Sequence, residues 1–263
     1  MKISVITVCF NAASTLTDTL ESVSRQRGCD VEHWLIDGGS RDDTSAVVGR
    51  HGGHLAGYIS EPDRGLYDAM NKGAARSCGE ALGFLNADDW YADETTLACV
   101  ADAFRKGADV VYGNLVFVEP SPPFEVKRIW RDAPHVPTDF IRFGWQPAHP
   151  ATFVRRSVFD RAGGFDLRWN ISADYAFLAR AMSLPNLQLR HVQQTLVNMR
   201  LGGASTRNWQ SLLKGNMQCA KALRELGHWP WGTIGLKLLR KLPQVFNEAP
   251  RGTRELWRPW VMS

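Results

Sequence analysis

The 263-residue chain predicts an α/β protein with a mostly parallel central sheet flanked by helices and a helical C-terminal extension. Strand-length runs (KISVITVCF from Lys2, EHWLI from Glu32, ALGFL from Ala81) alternate with segments of helical periodicity, the pattern of βαβ units. Each of these runs ends abruptly on polar turn residues. The composition, 44% hydrophobic and 22% charged, supplies an ordinary globular core.

Element by element, Lys2 to Phe10 is the first strand and Asn11 to Ser14 end it. Ser14 or Thr15 caps a helix carrying Leu16, Leu20 and Val23 on one face. Glu32 to Ile36 is the second strand, closed by Asp37-Gly38-Gly39-Ser40. Ser40 is then expected to cap a helix whose first turn holds Asp42 and Asp43, the charge sign a helix N-terminus favours. Leu55 to Ile59 gives a third strand, Asp68 to Ser77 a helix, and Ala81 to Leu85 a fourth strand. Asp109 to Tyr112 begins a further strand that leads through Gly113-Asn114 to Leu115–Val118. Pro120 to Pro123 is a loop, Phe143 to Phe153 an ordered loop and strand around His149, and a helix starts near Ser172.

Ligands of open α/β sheets bind beyond the carboxyl ends of the strands. Phe10-Asn11, Asp37 and the cluster Asn86-Asp88-Asp89 all lie at such ends. Two adjacent carboxylates repel, and a hard divalent ion completed by substrate phosphates resolves that repulsion. A nicotinamide site is excluded because the turn after the first strand, CFNAAST, contains no glycine. The same absence argues against a sugar nucleotidyltransferase, the rival enzyme class, which would want a glycine-rich basic loop there. HGGH, His51 to His54, has metal-like spacing but no carboxylate support and reads as a surface loop. The five scattered cysteines form no CxxC pair and fit a reducing cytosol. The N-terminus reads as a strand and not as a signal peptide.

CFN, LIDGGSRDDT, LNADDWY and ISADYAFLAR, in that order, resemble the landmarks of family 2 glycosyltransferases, nucleotide-sugar-dependent enzymes with the GT-A fold. EPDRGLYDAMNKG (Glu61 to Gly73) and GGAS (Gly202 to Ser205) are similar to a subset that builds cell-surface polysaccharides and glycolipids. The resemblance runs from Lys2 to about Ser205. It implies a catalytic domain over 1–206, with a nucleotide-binding half to about 115 and an acceptor half over 116–206. It implies a UDP- or GDP-sugar donor, Mn2+ or Mg2+, and a glycolipid or oligosaccharide acceptor. Thr7 to Asn11 would lie under the nucleotide, with Phe10 beside the base. Asp37 would bond the base or ribose, Arg64 would sit near the diphosphate, and Asp68 would touch the donor sugar. NADD corresponds to the family's DxD motif, which would make Asp88 the metal ligand and Asp89 a second; Asn86 replaces the first acid and adds no charge. Asp174 matches the family's general base in an inverting transfer, although Ala173 stands where an acid is common. His149 would be either a structural residue or a contact to diphosphate or acceptor. The departures at Asn86 and Ala173 are what a catalytically weakened, sugar-nucleotide-binding relative would show.

The extension, 207–263, is basic. From Arg224 onward seven Lys/Arg stand against three Asp/Glu, equal to the whole net charge of +4. So small a surplus, placed there, gives no nucleic-acid binder. Thr233 to Leu242 puts Ile234, Leu238 and Leu242 on one stripe, with Lys237, Arg240 and Lys241 on the other side. With Trp229, Trp231, Trp257 and Trp260 around it, this segment suits an anionic membrane surface. The expected location is cytoplasmic, at the inner face of the cell membrane.

Overall fold

A computed structural model describes residues 1–132, 141, 145–202, 209–230, 232, 233 and 235. Its centre is a nine-stranded sheet. β1 (Lys2–Cys9), β2 (Asp30–Asp37), β3 (Gly57–Ser60) and β4 (Ala81–Asn86) form its first half, in the order β3-β2-β1-β4 with all pairs parallel. Strands buried on both faces must be apolar on both. In β1, Ile3 and Val5 accordingly join one core cluster while Ile6 and Val8 join the other. The helix α3 (Leu66–Arg76) lies so close over β1 that a Cβ on Gly73 would sit 2.4 Å from Ile6 Cγ2. Only glycine permits that approach. α1 (Leu16–Ser24) and α2 (Thr44–His51) bury Leu16, Leu20, Val47 and Val48 with Leu35 and Cys9.

The second half is mixed. β6 (Val110–Val118) is one continuous strand, parallel to β9 (Leu189–Arg200). β8 (Thr152–Arg155) bridges β4 and β6 antiparallel to both, and β7 (Val126–Trp130) pairs the far half of β6. β5 (Trp90–Tyr91) pairs the end of β9. α4 (Thr96–Arg105) covers one face; α5 (Arg156–Ala162), α6 (Ala173–Met182) and α7 (Trp209–Glu225) pack on the other with α3.

The position of β5 fixes the shape of the sheet. Four strand spacings separate β4 from β5, about 19 Å if the sheet were flat. The chain from Asn86 to Trp90 can span at most about 15 Å. The sheet therefore curls, and its curl brings the end of β9 over the end of β4.

Two sequence expectations need correction here. Ser40 does not cap α2, which begins at Thr44; its hydroxyl is drawn instead to Asp37, and Asp42 receives the Thr44 N–H at 3.1 Å. His54 is not merely a surface-loop residue, because its ring meets that of the buried His33, Nε2 to Nδ1, at 2.9 Å. The Ile234–Leu242 stripe, Trp231, Trp257, Trp260 and Gly203 to Ser205 lie outside the described residues. Among the described residues no helix is long and apolar enough to cross a membrane.

Candidate active site

The ends of β1, β2 and β4 open on one side of the sheet. At the end of β1, Phe10 is 62% exposed, and Asn11 adopts a left-handed φ of 51°, which asparagine tolerates better than most residues. Asn11 ties β1 to the loop after β2: its N–H donates to Ser40 Oγ at 2.7 Å and its Oδ1 accepts the Arg41 N–H at 2.9 Å. Thr7, expected beneath the nucleotide, is sealed in the core with its hydroxyl 2.9 Å from His33 Nε2. No ligand reaches that side chain, so Thr7 belongs to the packing under the site.

Asp37 closes β2 and is buried. It accepts from Ser40 Oγ at 2.5 Å, the Ser40 N–H at 3.0 Å and Ser60 Oγ at 2.6 Å. Its carboxylate thus frames the loops around the crevice. Beside it, burial and then the charge of Asp37 push the Cys9 thiol far up, which rules against a thiolate nucleophile. Gly38 leaves room for the Asp63 carboxylate and the Phe10 ring: a Cβ there would lie 2.6 Å from Asp63 Oδ2 and 3.5 Å from Phe10 Cδ2.

The first turn of α3 forms the next wall. Asp68 reaches back to the Arg64 N–H at 3.0 Å and to the Arg64 guanidinium at 2.9 Å. Lys72 approaches the same carboxylate at 3.6 Å. The Arg64 backbone bond, then its guanidinium, hold Asp68 below the usual carboxylate range. The Arg64 side chain nonetheless stays 77% exposed.

At the end of β4 the two adjacent acids diverge. Asp89 is 0% exposed. Its Oδ2 accepts the Asn86 amide at 3.0 Å and its Oδ1 the Arg200 N–H at 3.3 Å. Burial, then the neighbouring Asp88 charge, push its pKa well up. Asp89 is therefore turned inward and is not the second metal ligand the sequence suggested. Asp88 keeps partial exposure, burial raises its pKa, and among the described residues its carboxylate makes no side-chain hydrogen bond or ion pair. Among the described residues no three His, Cys, Asp or Glu side chains cluster to cage an ion. The donor set fits a hard divalent ion held by Asp88, the member of the adjacent pair that keeps exposure, and completed by phosphate oxygens and water.

Asp174 sits in the first turn of α6, where the helix dipole favours a carboxylate. The buried Tyr67 hydroxyl, carried in by α3, lies 3.0 Å from its Oδ1 and 3.0 Å from the Ile171 carbonyl. Burial, then Asp174, hold that phenol well above its ordinary pKa, so it acts as a donor. The turn before α6 is gripped from behind by α7: Gln218 Oε1 accepts the Ile171 and Ser172 N–H groups at 3.0 and 3.1 Å. His149 stacks on Phe84 of β4 at 5.8 Å and meets Phe165 edge-on at 5.5 Å. Burial lowers its pKa while the charge of Asp174 opposes this.

Tyr67, Gln218 and Arg200 were not singled out from sequence. Tyr67 lies within the LYDAM segment but carries no chemistry of its own there. Gln218 and Arg200 are 46 and 111 positions from the groups they hold, and nothing local marks them.

Comparison with known proteins agrees with this geometry. The family model described as glycosyl transferase family 2 matches residues 4–163. A PGL/p-HBAD biosynthesis glycosyltransferase of Mycobacterium bovis is 34% identical over 209 residues, covering 77% of this chain and 78% of that protein. An uncharacterized glycosyltransferase of Mycobacterium tuberculosis is 34% identical over 190 residues, 68% of each. The structure of S. aureus TarS 1-349 in complex with UDP-GlcNAc matches with a TM-score of 0.69 at 17% identity, over 92% of this chain and 73% of that one. A mannosyltransferase from Pyrobaculum calidifontis in complex with GDP-Man and Mn2+ matches at 0.62 and 16% identity, over 92% and 70%. At such identities these two structures bear on fold alone, and the fold is that of GT-A glycosyltransferases. The chain belongs to glycosyl transferase family 2 and is a glycosyltransferase.

Proposed function

We propose that the protein moves one sugar from a UDP- or GDP-sugar to a hydroxyl of a glycolipid or polysaccharide acceptor, with inversion and with help from a divalent metal. The observation that carries this reading is the Tyr67–Asp174 hydrogen bond of 3.0 Å. It fastens a partly exposed carboxylate to α3, whose first turn carries Asp68 and whose preceding loop carries Arg64. An acceptor oxygen that attacks the anomeric carbon must shed its proton, and a carboxylate within hydrogen-bond reach takes it. Attack opposite the departing nucleoside diphosphate inverts the centre. Asp174 receives the proton, and Tyr67 holds Asp174 in one orientation.

On the donor side Phe10 offers an exposed ring to a base. Asp37 orders the Ser40 and Ser60 loops around it, and Arg64 supplies a solvent-facing cation for phosphate. Asp88 would hold Mn2+ or Mg2+, which supplies positive charge to the leaving diphosphate. The nucleotide sugars held by TarS and by the Pyrobaculum enzyme, and Mn2+ in the latter, motivate the UDP, GDP and metal choices. The name of the Mycobacterium bovis relative, a PGL/p-HBAD biosynthesis glycosyltransferase, motivates a glycolipid or polysaccharide acceptor.

The extension beyond residue 206 is proposed to serve this site through α7, whose Cys219 and Leu223 join the α6 core and whose Gln218 supports the Asp174 turn. Its basic, tryptophan-rich remainder is proposed to rest on the inner face of the cell membrane. Co-sedimentation with anionic vesicles should drop on truncation after Gly232 and weaken with salt; unchanged, salt-insensitive binding would refute that placement. The activity itself is tested with a panel of UDP- and GDP-sugars, with and without Mn2+ or Mg2+. No turnover of any donor under either condition would reject it.

A further inference from the structure

Arg200 ends β9, which the curl of the sheet brings over the β4–β5 turn. It is 5% exposed. Its backbone N–H donates to Asp89 Oδ1 at 3.3 Å, and its Nη1 donates to the Asp88 carbonyl at 3.2 Å. Its Nη2 forms an ion pair with Asp18 in the first turn of α1. The guanidinium lies 4.8 Å from the centre of the Trp90 ring and 5.1 Å from that of Phe124. A planar fork can serve the carbonyl, the carboxylate and two ring faces together; the point charge of a lysine cannot.

The Asp88 carboxylate makes no side-chain bond among the described residues, so its direction is set by the backbone of its turn. That turn is held at three carbonyls. Asp89 N–H donates to the Asn86 carbonyl at 3.1 Å, Thr19 Oγ1 donates to the Asp89 carbonyl at 2.7 Å, and Arg200 takes the Asp88 carbonyl. Only the last bond acts on Asp88 itself, and only it comes from a charged donor.

We propose that Arg200, oriented by Asp18, is the positioning residue for Asp88: it fixes the 88–89 peptide so that the Asp88 carboxylate faces the diphosphate. The inference rests on the reading of Asp88 as the residue that holds the metal. Groups that orient a metal ligand typically change metal affinity about 10- to 100-fold when removed.

The test is calorimetric binding of UDP and GDP with and without Mn2+, on the full chain and on Arg200→Met, Arg200→Lys, Asp18→Asn and Asp88→Asn. Methionine keeps the apolar stem against Trp90 and Phe124. The expected result is that Mn2+ tightens nucleotide binding in the parent chain, that Asp88→Asn removes this gain, and that both Arg200 variants cut it at least ten-fold at unchanged metal-free affinity. Asp18→Asn should cut it less, because Nη1 still reaches the Asp88 carbonyl, and the Asp18→Asn/Arg200→Met double variant should match Arg200→Met. In the metal-free protein, amide exchange at residues 88–90 should be faster in Arg200→Met than in the parent. Should the Arg200 variants fail to fold, Asp18→Asn alone carries the test. A full Mn2+ gain in folded Arg200→Met, or in Asp18→Asn with unchanged exchange, alongside its loss in Asp88→Asn overturns the positioning role. A full gain in Asp88→Asn, or no Mn2+ effect in the parent chain, overturns the metal reading and this inference with it.

Discussion

The Asn86 amide donates to Asp89 Oδ2 across 3.0 Å, with Asp89 wholly removed from solvent. A neutral donor therefore stands where an acid would face a buried carboxylate. The position reads as a departure from a metal-binding motif when viewed in sequence, but in three dimensions it solves a local electrostatic problem. Asn86→Asp should destabilise the fold by about 1–3 kcal/mol or more, because it removes the donor and adds a like charge. The resulting carboxyl pair would carry a raised pKa, and a raised carboxyl pKa means that the native state binds the extra proton. The loss should therefore shrink as pH falls from 7 to 5. Thermal unfolding at both pH values checks this; an equal loss at each would show that charge repulsion is not the cause.

Tyr67→Phe deletes the hydroxyl that fixes Asp174 and little else. A hydrogen bond to a charged group is worth about 1.5–3 kcal/mol, so kcat should drop roughly ten-fold or more. Nucleotide affinity should stay within about two-fold, since the Tyr67 hydroxyl touches Asp174 and the Ile171 carbonyl and none of the donor-side groups. Steady-state kinetics with parallel nucleotide titration separates the two.

Gln218→Ala probes whether α7 belongs to the catalytic unit. The substitution strips the acceptor from the Ile171 and Ser172 N–H groups, a loss comparable to that of a helix cap, about 1–2 kcal/mol. Chemical denaturation should show that loss, and kcat should fall with it. Unchanged stability would mean that the α7 contact does not support the Asp174 turn.

The chain of side chains Thr7–His33–His54 gives a pH prediction. Burial, and then the neighbouring His54, push His33 down to about 3, and burial lowers His54 as well. A histidine depressed in the native state takes up its proton more readily when unfolded. Its stabilisation is complete above about pH 6.5 and is lost as the pH falls from there toward 3. The slope is at most about 1.4 kcal/mol per pH unit for each such proton. His33→Gln, which keeps a hydrogen-bonding group beside Thr7, should flatten the stability profile between pH 4 and 6.5. A profile as steep as the parent's would show that other groups dominate it.

The legible and illegible parts of this molecule differ for physical reasons. β1 and β4 are buried on both faces, so VITVC and ALGFL stand out as apolar runs, and the parallel half of the sheet follows from them. β9 escapes notice because LRHVQQTLVNMR has many half-exposed positions and shifts register against β6 around Gly113–Leu115. The strand-end groups Asp37 and Asp88 are legible because turn chemistry marks them, and Asp174 is legible through the likeness of ISADYAFLAR to the family's landmarks. What they touch is not. Adjacent side chains at a strand end point opposite ways, so the Asp88-Asp89 pair that looks like two ligands is one open carboxylate and one buried one. Ser40 looks like a helix cap until Asp37 claims its hydroxyl. Arg200 is assigned only by the curl of the sheet, which no local pattern encodes.

The central claim is that Asp174 removes the acceptor proton. It is tested most directly by single-turnover transfer in Asp174→Asn, using the best donor from the nucleotide-sugar panel, with UDP or GDP affinity measured on the same protein. Transfer should fall by about 10²–10⁴-fold while nucleotide affinity stays within about two-fold of the parent's. Transfer at the parental rate, with the nucleotide still bound, would contradict the assignment.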